Sequence, residues 1–351
     1  MRRAVVLLLT AALCVCPALA AEPPVPGLDE LWEQAEDYGV AQGTGLDEGL
    51  AGLLSRGVDQ LGGLFRASLA TALKLLAVVL LCAMAGGMSQ GEGLRAVNIA
   101  GALAITALTM TDMAAMIGLG REAMDKMSGF SSVLLPAMAV LTAAAGGPGA
   151  AALRQGATVL FGQLLMLAMD RLLIPLVYAY VAVSCAHAAV ENPGLERLAH
   201  LLKNAVSGIL AALLMIFVGY LTASGAAAGA VDAAAVKAAK LAISRAIPVV
   251  GGILADASES VLAGAGALRG TVGAAGLVVV LAICLTPFLR LSLQYLVYRG
   301  AAALCATVAQ PRLGRLIDAI GSAFGLVLGM TGAGAMILLV SLVSAMSGVG
   351  P

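Results

Sequence analysis

Charged side chains set in apolar sequence are where chemistry is sought first, because a charge at a bilayer centre costs about 3 kcal/mol on insertion scales. Asp170 and Arg171 stand side by side in a long apolar stretch, with Pro175 just beyond. Adjacent residues cannot share one helix face, so the pair marks a helix end or meets two separate partners. A structural turn is favoured there over an ion site. Asp112 lies alone in a second apolar run. It either faces a watery interior, bonds a neighbouring helix or sits near a helix end. Asp256 and Glu259 are about one turn apart, which suits two carboxylates on a shared cavity or on a solvated face.

Other chemistries lack their residues. His187 and His200 are the two histidines, and neither has the cysteine or carboxylate spacing of a metal motif. The sequence holds no G-x-x-x-x-G-K-[ST] loop to cradle phosphates, no H-E-x-x-H and no convincing nucleophile beside a base. Cys82, Cys185, Cys284 and Cys305 each stand alone in apolar sequence and read as small packing residues. No cofactor, metal or nucleic-acid partner is expected, and any energy input must come from a partner or a gradient.

The elements that must position these groups are membrane helices. The chain is 61% hydrophobic and 11% charged, against roughly 25% charged residues in soluble domains. Arg2 and Arg3 precede an apolar run, and Ala18-Leu19-Ala20 supplies a small-residue cleavage site. Residues 1–20 are therefore expected to be a signal peptide, with an uncleaved anchor as the alternative. Residues 21–66 hold nine carboxylates against two arginines and form an acidic, exported arm. Within it, Leu28, Leu31, Trp32 and Ala35, and then Leu46 to Phe65, fall at amphipathic spacing.

Residues 67–351 read as an all-α polytopic bundle of roughly six to eight spans, with the lipid bilayer as their solvent. A first span runs from about 68 to 88 and a second from about 96 to 119. Arg121, Glu122, Asp125 and Lys126 are expected to form a charge-balanced loop before a third, from about 130 to 145. The 36 residues from Gln155 to Val190 would make a helix of about 54 Å against a hydrocarbon core of about 30 Å. They must bend, break or turn back, and Asp170-Arg171 with Pro175 marks the place. The segment 224–270 is too polar for a lipid-facing helix, so it is either re-entrant or surface-lying. Candidate helix-break or cavity-lining residues are thus Pro136, Asp170, Arg171, Pro175, Pro248, Gly251, Gly252, Asp256, Glu259 and Pro287.

Prolines also hint at a duplication of 130–225 in 242–350. Pro136 and Pro175 are 39 positions apart, as are Pro248 and Pro287. Pro193-Gly-Leu-Glu-Arg197 is echoed by Pro311-Arg-Leu-Gly-Arg315. Paired helix sets of this kind often surround a central path built from broken helices, although nothing in the pattern decides between parallel and inverted repeats.

Phe130-Ser-Ser-Val-Leu-Leu-Pro136 running into Thr142-Ala-Ala-Ala-Gly-Gly147, and above all Lys240-Leu-Ala-Ile-Ser-Arg-Ala-Ile-Pro-Val-Val-Gly-Gly252 with Asp256 close behind, resembles the stage III sporulation protein AE family. The resemblance implies a multi-pass protein of the mother-cell membrane facing the forespore. It implies membership of a transenvelope channel or feeding-tube apparatus, with the other stage III sporulation A proteins, a secretion-type ATPase among them, and a forespore membrane partner. It brings no catalytic residues. The rival readings are an autonomous secondary transporter and, less favoured, an intramembrane enzyme.

A reporter enzyme that folds only outside the cytoplasm, inserted at Gly45, is expected to be active. Activity of a cytoplasm-only reporter at the same position would reverse the arm's side.

Overall fold

The computed structural model describes residues 33, 35–36, 46–88, 91–144, 149–223, 271–308 and 311–347. The signal-peptide reading, most of the arm before Leu46, and Pro248, Gly251, Gly252, Asp256 and Glu259 lie outside the described residues. Among the described residues regular structure is helical throughout. Helices are α1 (Leu46–Met88), α2 (Glu92–Ala144), α3 (Gly149–Ala168), α4 (Ile174–Val190), α5 (Pro193–Ala223), α6 (Thr271–Val308) and α7 (Pro311–Ser347), with a π-helical turn at Met169–Leu173 joining α3 to α4. Among the described residues six segments are long and apolar enough to cross a membrane: Ala51–Met88, Glu92–Leu134, Leu160–Val190, Pro193–Tyr220, Ala275–Thr307 and Arg312–Val343. The chain is an all-α polytopic membrane bundle.

Two sequence expectations need correcting. The charges at 121–126 form no loop; α2 runs through them as one 53-residue helix, about 80 Å long at 1.5 Å per residue. Arg121, Glu122, Asp125 and Lys126 all point outward while Ala123, Met124 and Met127 are buried, so the charges sit on one face and cost the helix nothing. Glu122 and Lys126 even form an i,i+4 pair at 2.8 Å. The third span expected at 130–145 is accordingly the far part of α2. The arm's second amphipathic stretch is likewise continuous with the first span in the single helix α1.

Contacts fix the helix directions. Gly49 meets Val278 and Ser68 meets Gln294, so α1 and α6 run parallel. Gly120 meets Val327 and Gly334 meets Met127, so α2 and α7 run parallel. Arg121 meets Asp170, and Arg299 meets Asp318, making α2 and the α3–α4 unit, and α6 and α7, antiparallel pairs. One end of the bundle, the turn end, therefore gathers the 88–92, 190–193 and 308–311 connections. The other, the open end, holds Leu46, Ala223, Thr271 and Ser347. Hairpins α4–α5 and α6–α7 point the same way, and each second helix opens with a proline, Pro193 or Pro311. Such a proline suits a first helical turn, whose N–H has no intrahelical acceptor.

Helix α7 occupies the middle, with 94% of its apolar window buried and α2 to α6 packed around it. A helix apolar on all sides belongs in such a position. The surrounding helices turn large apolar side chains outward, including Leu73 and Met84 on α1, Leu103 on α2, Leu160 on α3, Ile216 on α5 and Leu304 on α6. In water this would be a liability, but in lipid it is the ordinary outer surface.

Close packing on α7 is tested at Gly120 of α2, where an added Cβ would come within 2.5 Å of Val327 Cγ1. Valine in a helix has essentially one rotamer, so it cannot swing aside. Gly120→Ala is expected to destabilise by about 1–3 kcal/mol, read as a lower unfolding temperature in detergent. Gly118→Ala, with nothing within 4 Å, should be neutral or slightly stabilising. Equal behaviour of the two would contradict this packing.

Candidate functional site

The turn between α4 and α5 is built by three residues. Helix α4 ends at Glu191, which adopts a left-handed conformation (φ 57°) and donates its N–H to His187 O at 2.8 Å. Asn192 then caps α5, its Oδ1 accepting from Gly194 N at 2.8 Å, ahead of Pro193 at the first helical position. His187 Nδ1 lies 3.0 Å from Asn192 O. A non-glycine residue in the left-handed region costs of order 1 kcal/mol and persists where its surroundings hold it. Here Arg312, from the start of α7, supplies the hold.

Arg312 is buried, with 7% of its side chain exposed. Its Nε donates to Ala188 O at 2.6 Å and one Nη to Ala189 O at 2.9 Å, while the other Nη is 3.0 Å from Glu191 Oε1. The guanidinium thus satisfies carbonyls at the end of α4 that have no intrahelical donor, and a cation at a helix C-terminus is favoured by the helix dipole. Arg315, one turn on, reaches Glu196 of α5 at 3.4 Å. A cavity of about 150 Å³ opens among these groups, lined also by His187, His200, Lys203 and Asp318.

Polar groups continue from the cavity into the bundle. Lys203 Nζ donates to Ser322 Oγ at 3.1 Å, and Arg299 pairs with Asp318 at 2.6 Å while lying over the Tyr295 ring. Deeper, Tyr298 Oη donates to Asp112 Oδ2 at 3.1 Å and Gln294 Nε2 approaches the same oxygen at 3.4 Å. Ser68 Oγ of α1 donates to Gln294 Oε1 at 3.1 Å. Asp112, Gln294 and Ser68 lie within the apolar spans, so a carboxylate is held inside the membrane by donors from α6. This seam ties α1 and α2 to α6, and α4, α5 and α6 to α7, by polar contacts from the turn end inward. Its members bond one another, an arrangement that fixes the helices against each other.

The sequence candidates fall in several places. Asp170 and Arg171 lie in the π-helical turn, with Pro175 at the start of α4. Asp170 accepts from Arg121 Nε at 2.5 Å and has Arg171 at 3.7 Å, and Arg171 is 79% exposed. The 155–190 stretch therefore continues in one direction through a π-helical turn, and does not turn back. Pro136 lies within α2. Pro287 interrupts α6, removing an N–H from the helix, and lines a lateral cavity between α1, α2 and α6. None of these meets the turn-end cluster.

His187 and His200, without a motif in the sequence, come to one cavity; yet among the described residues no three of His, Cys, Asp and Glu gather as metal ligands. Arg312, Glu191, Tyr298 and Gln294 carry no mark in the sequence beyond the Pro193 and Pro311 echoes, because their partners are more than a hundred residues away.

Comparison with known proteins follows this geometry. The model of a family described as stage III sporulation protein AE matches residues 48–349. Stage III sporulation protein AE of Bacillus subtilis (strain 168) is 28% identical over 197 residues, which cover 56% of this chain and 49% of that protein. The chain thus spans about half the length of this curated relative. No solved structure matches.

Arg312→Ala leaves the Ala188 and Ala189 carbonyls without their donor and is expected to cost about 2–3 kcal/mol, the scale for acceptors left unsatisfied after loss of a charged donor. Arg315→Ala removes an exposed pair and should cost under about 1 kcal/mol. Thermal unfolding in detergent measures both, and a cost for Arg315→Ala matching that of Arg312→Ala would deny the turn end its buried anchor.

Proposed function

Because this chain belongs to the stage III sporulation protein AE family, we propose that it serves endospore development as a non-enzymatic membrane component of a channel between mother cell and forespore. The observation that carries this reading is the position of α7. The axis of the bundle is filled by a helix with 94% of its apolar window buried, and cavities open at the turn end and at the side. A conduit would need walls from other chains, as a subunit of an assembly provides.

In this reading the chain resides in the mother-cell membrane around the forespore, with its acidic arm in the space between the two membranes. Its partners are the other stage III sporulation A proteins and a forespore membrane protein. The sequence carries no phosphate-cradling loop, which fits energy supplied by a separate secretion-type ATPase.

One observation favours the alternative, an autonomous secondary transporter: Asp112 is an intramembrane carboxylate, the usual place for a proton or ion relay. Substitution separates the two. If the chain is a channel subunit, the tagged protein retains the other stage III sporulation A proteins on purification, its deletion arrests development after engulfment, and Asp112→Asn sporulates near the wild-type level. Loss of sporulation in Asp112→Asn at normal protein abundance, together with purification free of those partners, would favour the transporter.

A further inference from the structure

The outer surfaces of α1, α2, α4 and α6 change character near one level, while α3 keeps Leu160, Leu164 and Leu167 exposed on the open-end side of it. Exposed side chains on α1 from Leu69 to Met88 are apolar apart from Lys74, whose long stem can carry its charge to the border, whereas Ser55, Arg56, Asp59, Gln60 and Arg66 are exposed polar groups before them. On α2, exposed Leu103, Leu108 and Met110 give way to Arg121, Glu122, Asp125 and Lys126. Arg171 marks the change where the π-helical turn meets α4, and Arg290 marks it on α6, with exposed Leu296 and Leu304 on the turn-end side. These borders are level, since Arg121 bonds Asp170 and Ser68, two residues from Arg66, bonds Gln294, one turn from Arg290. On α1, α4 and α6 about twenty residues, some 30 Å, separate the border from the turn end, which is the thickness of the hydrocarbon core. The border is therefore at headgroup depth, and the helices continue beyond it toward the open end.

At that depth α1, α2 and α6 enclose a lateral cavity of about 340 Å³ whose walls include Arg56, Gln60, Glu122, Lys126, Pro287 and Arg290. Three cations face one carboxylate, and Lys126 and Glu122 bond each other at 2.8 Å, so the walls carry net positive charge. The two arginines come from different helices, α1 and α6, and present planar forks that match the oxygens of a phosphate. Gln60, whose Oε1 accepts from Thr286 Oγ1 at 3.1 Å, bridges those same helices in the wall.

We propose that this cavity binds the phosphate group of an acidic phospholipid headgroup. Basic pockets between membrane helices recognise such groups, and the depth puts the cavity within the phosphate layer of the bilayer. Bound there, the headgroup ties α1 to α6 just above the seam at Asp112.

The full chain in nanodiscs of phosphatidylcholine, with or without phosphatidylglycerol at a third of the lipid, tests this by thermal unfolding. Phosphatidylglycerol is expected to raise the unfolding temperature of the native chain by a few degrees, and Arg56→Gln with Arg290→Gln to remove that increment. Arg56→Lys with Arg290→Lys should restore part of it. Arg171→Gln, an exposed charge at the same depth but outside the cavity, should leave it intact. If inorganic phosphate added to phosphatidylcholine discs gives the same cavity-dependent increment, the phosphate site stands with the free ion as its source. No increment in the native chain, or an undiminished one in the double glutamine variant, overturns the site.

Discussion

Helix α7 can hold the axis of the bundle because its neighbours approach it across positions that lack side chains. Lipid removes the hydrophobic drive that sorts helices in water, so what orders them is close packing and the satisfaction of polar groups. An added Cβ at Gly321 would lie 3.1 Å from Tyr298 Cβ, and one at Gly325 would lie 3.0 Å from the Tyr295 ring. Gly321 and Gly325 are one turn apart on the face of α7 that meets α6. The gaps admit two tyrosines, and the Tyr298 ring then packs edge-on against Phe324 with centroids 4.9 Å apart. That same placement carries the Tyr298 hydroxyl to Asp112. The intramembrane carboxylate thus owes its tyrosine donor to a missing β-carbon at Gly321 on a different helix.

The polar contacts act at other depths on the same scaffold. Arg312 closes the turn end by bonding the last carbonyls of α4, and Asp170 with Arg121 joins α2 to the π-helical turn. A π turn adds a residue to the helical repeat and commonly appears at such special positions. The extra residue offers a physical account of how adjacent Asp170 and Arg171 sit on one continuous helical run. Asp170 turns inward to Arg121 while Arg171 projects to the exterior.

Much of the bundle was legible because hydropathy and length are local properties. Lipid permits backbone to cross only as helix or closed barrel, so apolar runs of about twenty residues translate directly into spans. The place where the 155–190 stretch departs from a regular α-helix was also legible, since Asp170-Arg171 and Pro175 are adjacent in sequence. The charges of 121–126 misled for a physical reason. Their clustering signals exit from lipid, and leaving lipid ends a span without ending a helix; Arg, Glu, Met and Lys are good helix formers, and α2 continues into the polar zone. The turn-end cluster was not legible at all. Arg312 and its partners on α4 are joined only by the fold, and nothing in the local pattern of Pro311-Arg312-Leu313 says that this arginine is buried while Arg315 is not.

The two proline-led hairpins show how composition decides position. Helices α5 and α7 both begin with proline, point in the same direction and follow a turn of the same length, yet α5 exposes Leu198, Leu201, Met215 and Ile216 while α7 is enclosed. Aligning Pro193 with Pro311 sets Lys203 opposite Gly321 and Ser207 opposite Gly325. A lysine where α7 has glycine keeps another backbone at a distance, and Lys203 accordingly reaches across to Ser322 instead of admitting a tyrosine. Of the glycines that α5 does have, Gly208 and Gly219 meet nothing within 4 Å and Gly194 meets only the capping Asn192. Both helices are apolar enough to cross the membrane, so hydrophobicity does not choose between them for the axis. The register of small residues against aromatic neighbours makes that choice, and with it decides that the axis of this bundle is a packed helix.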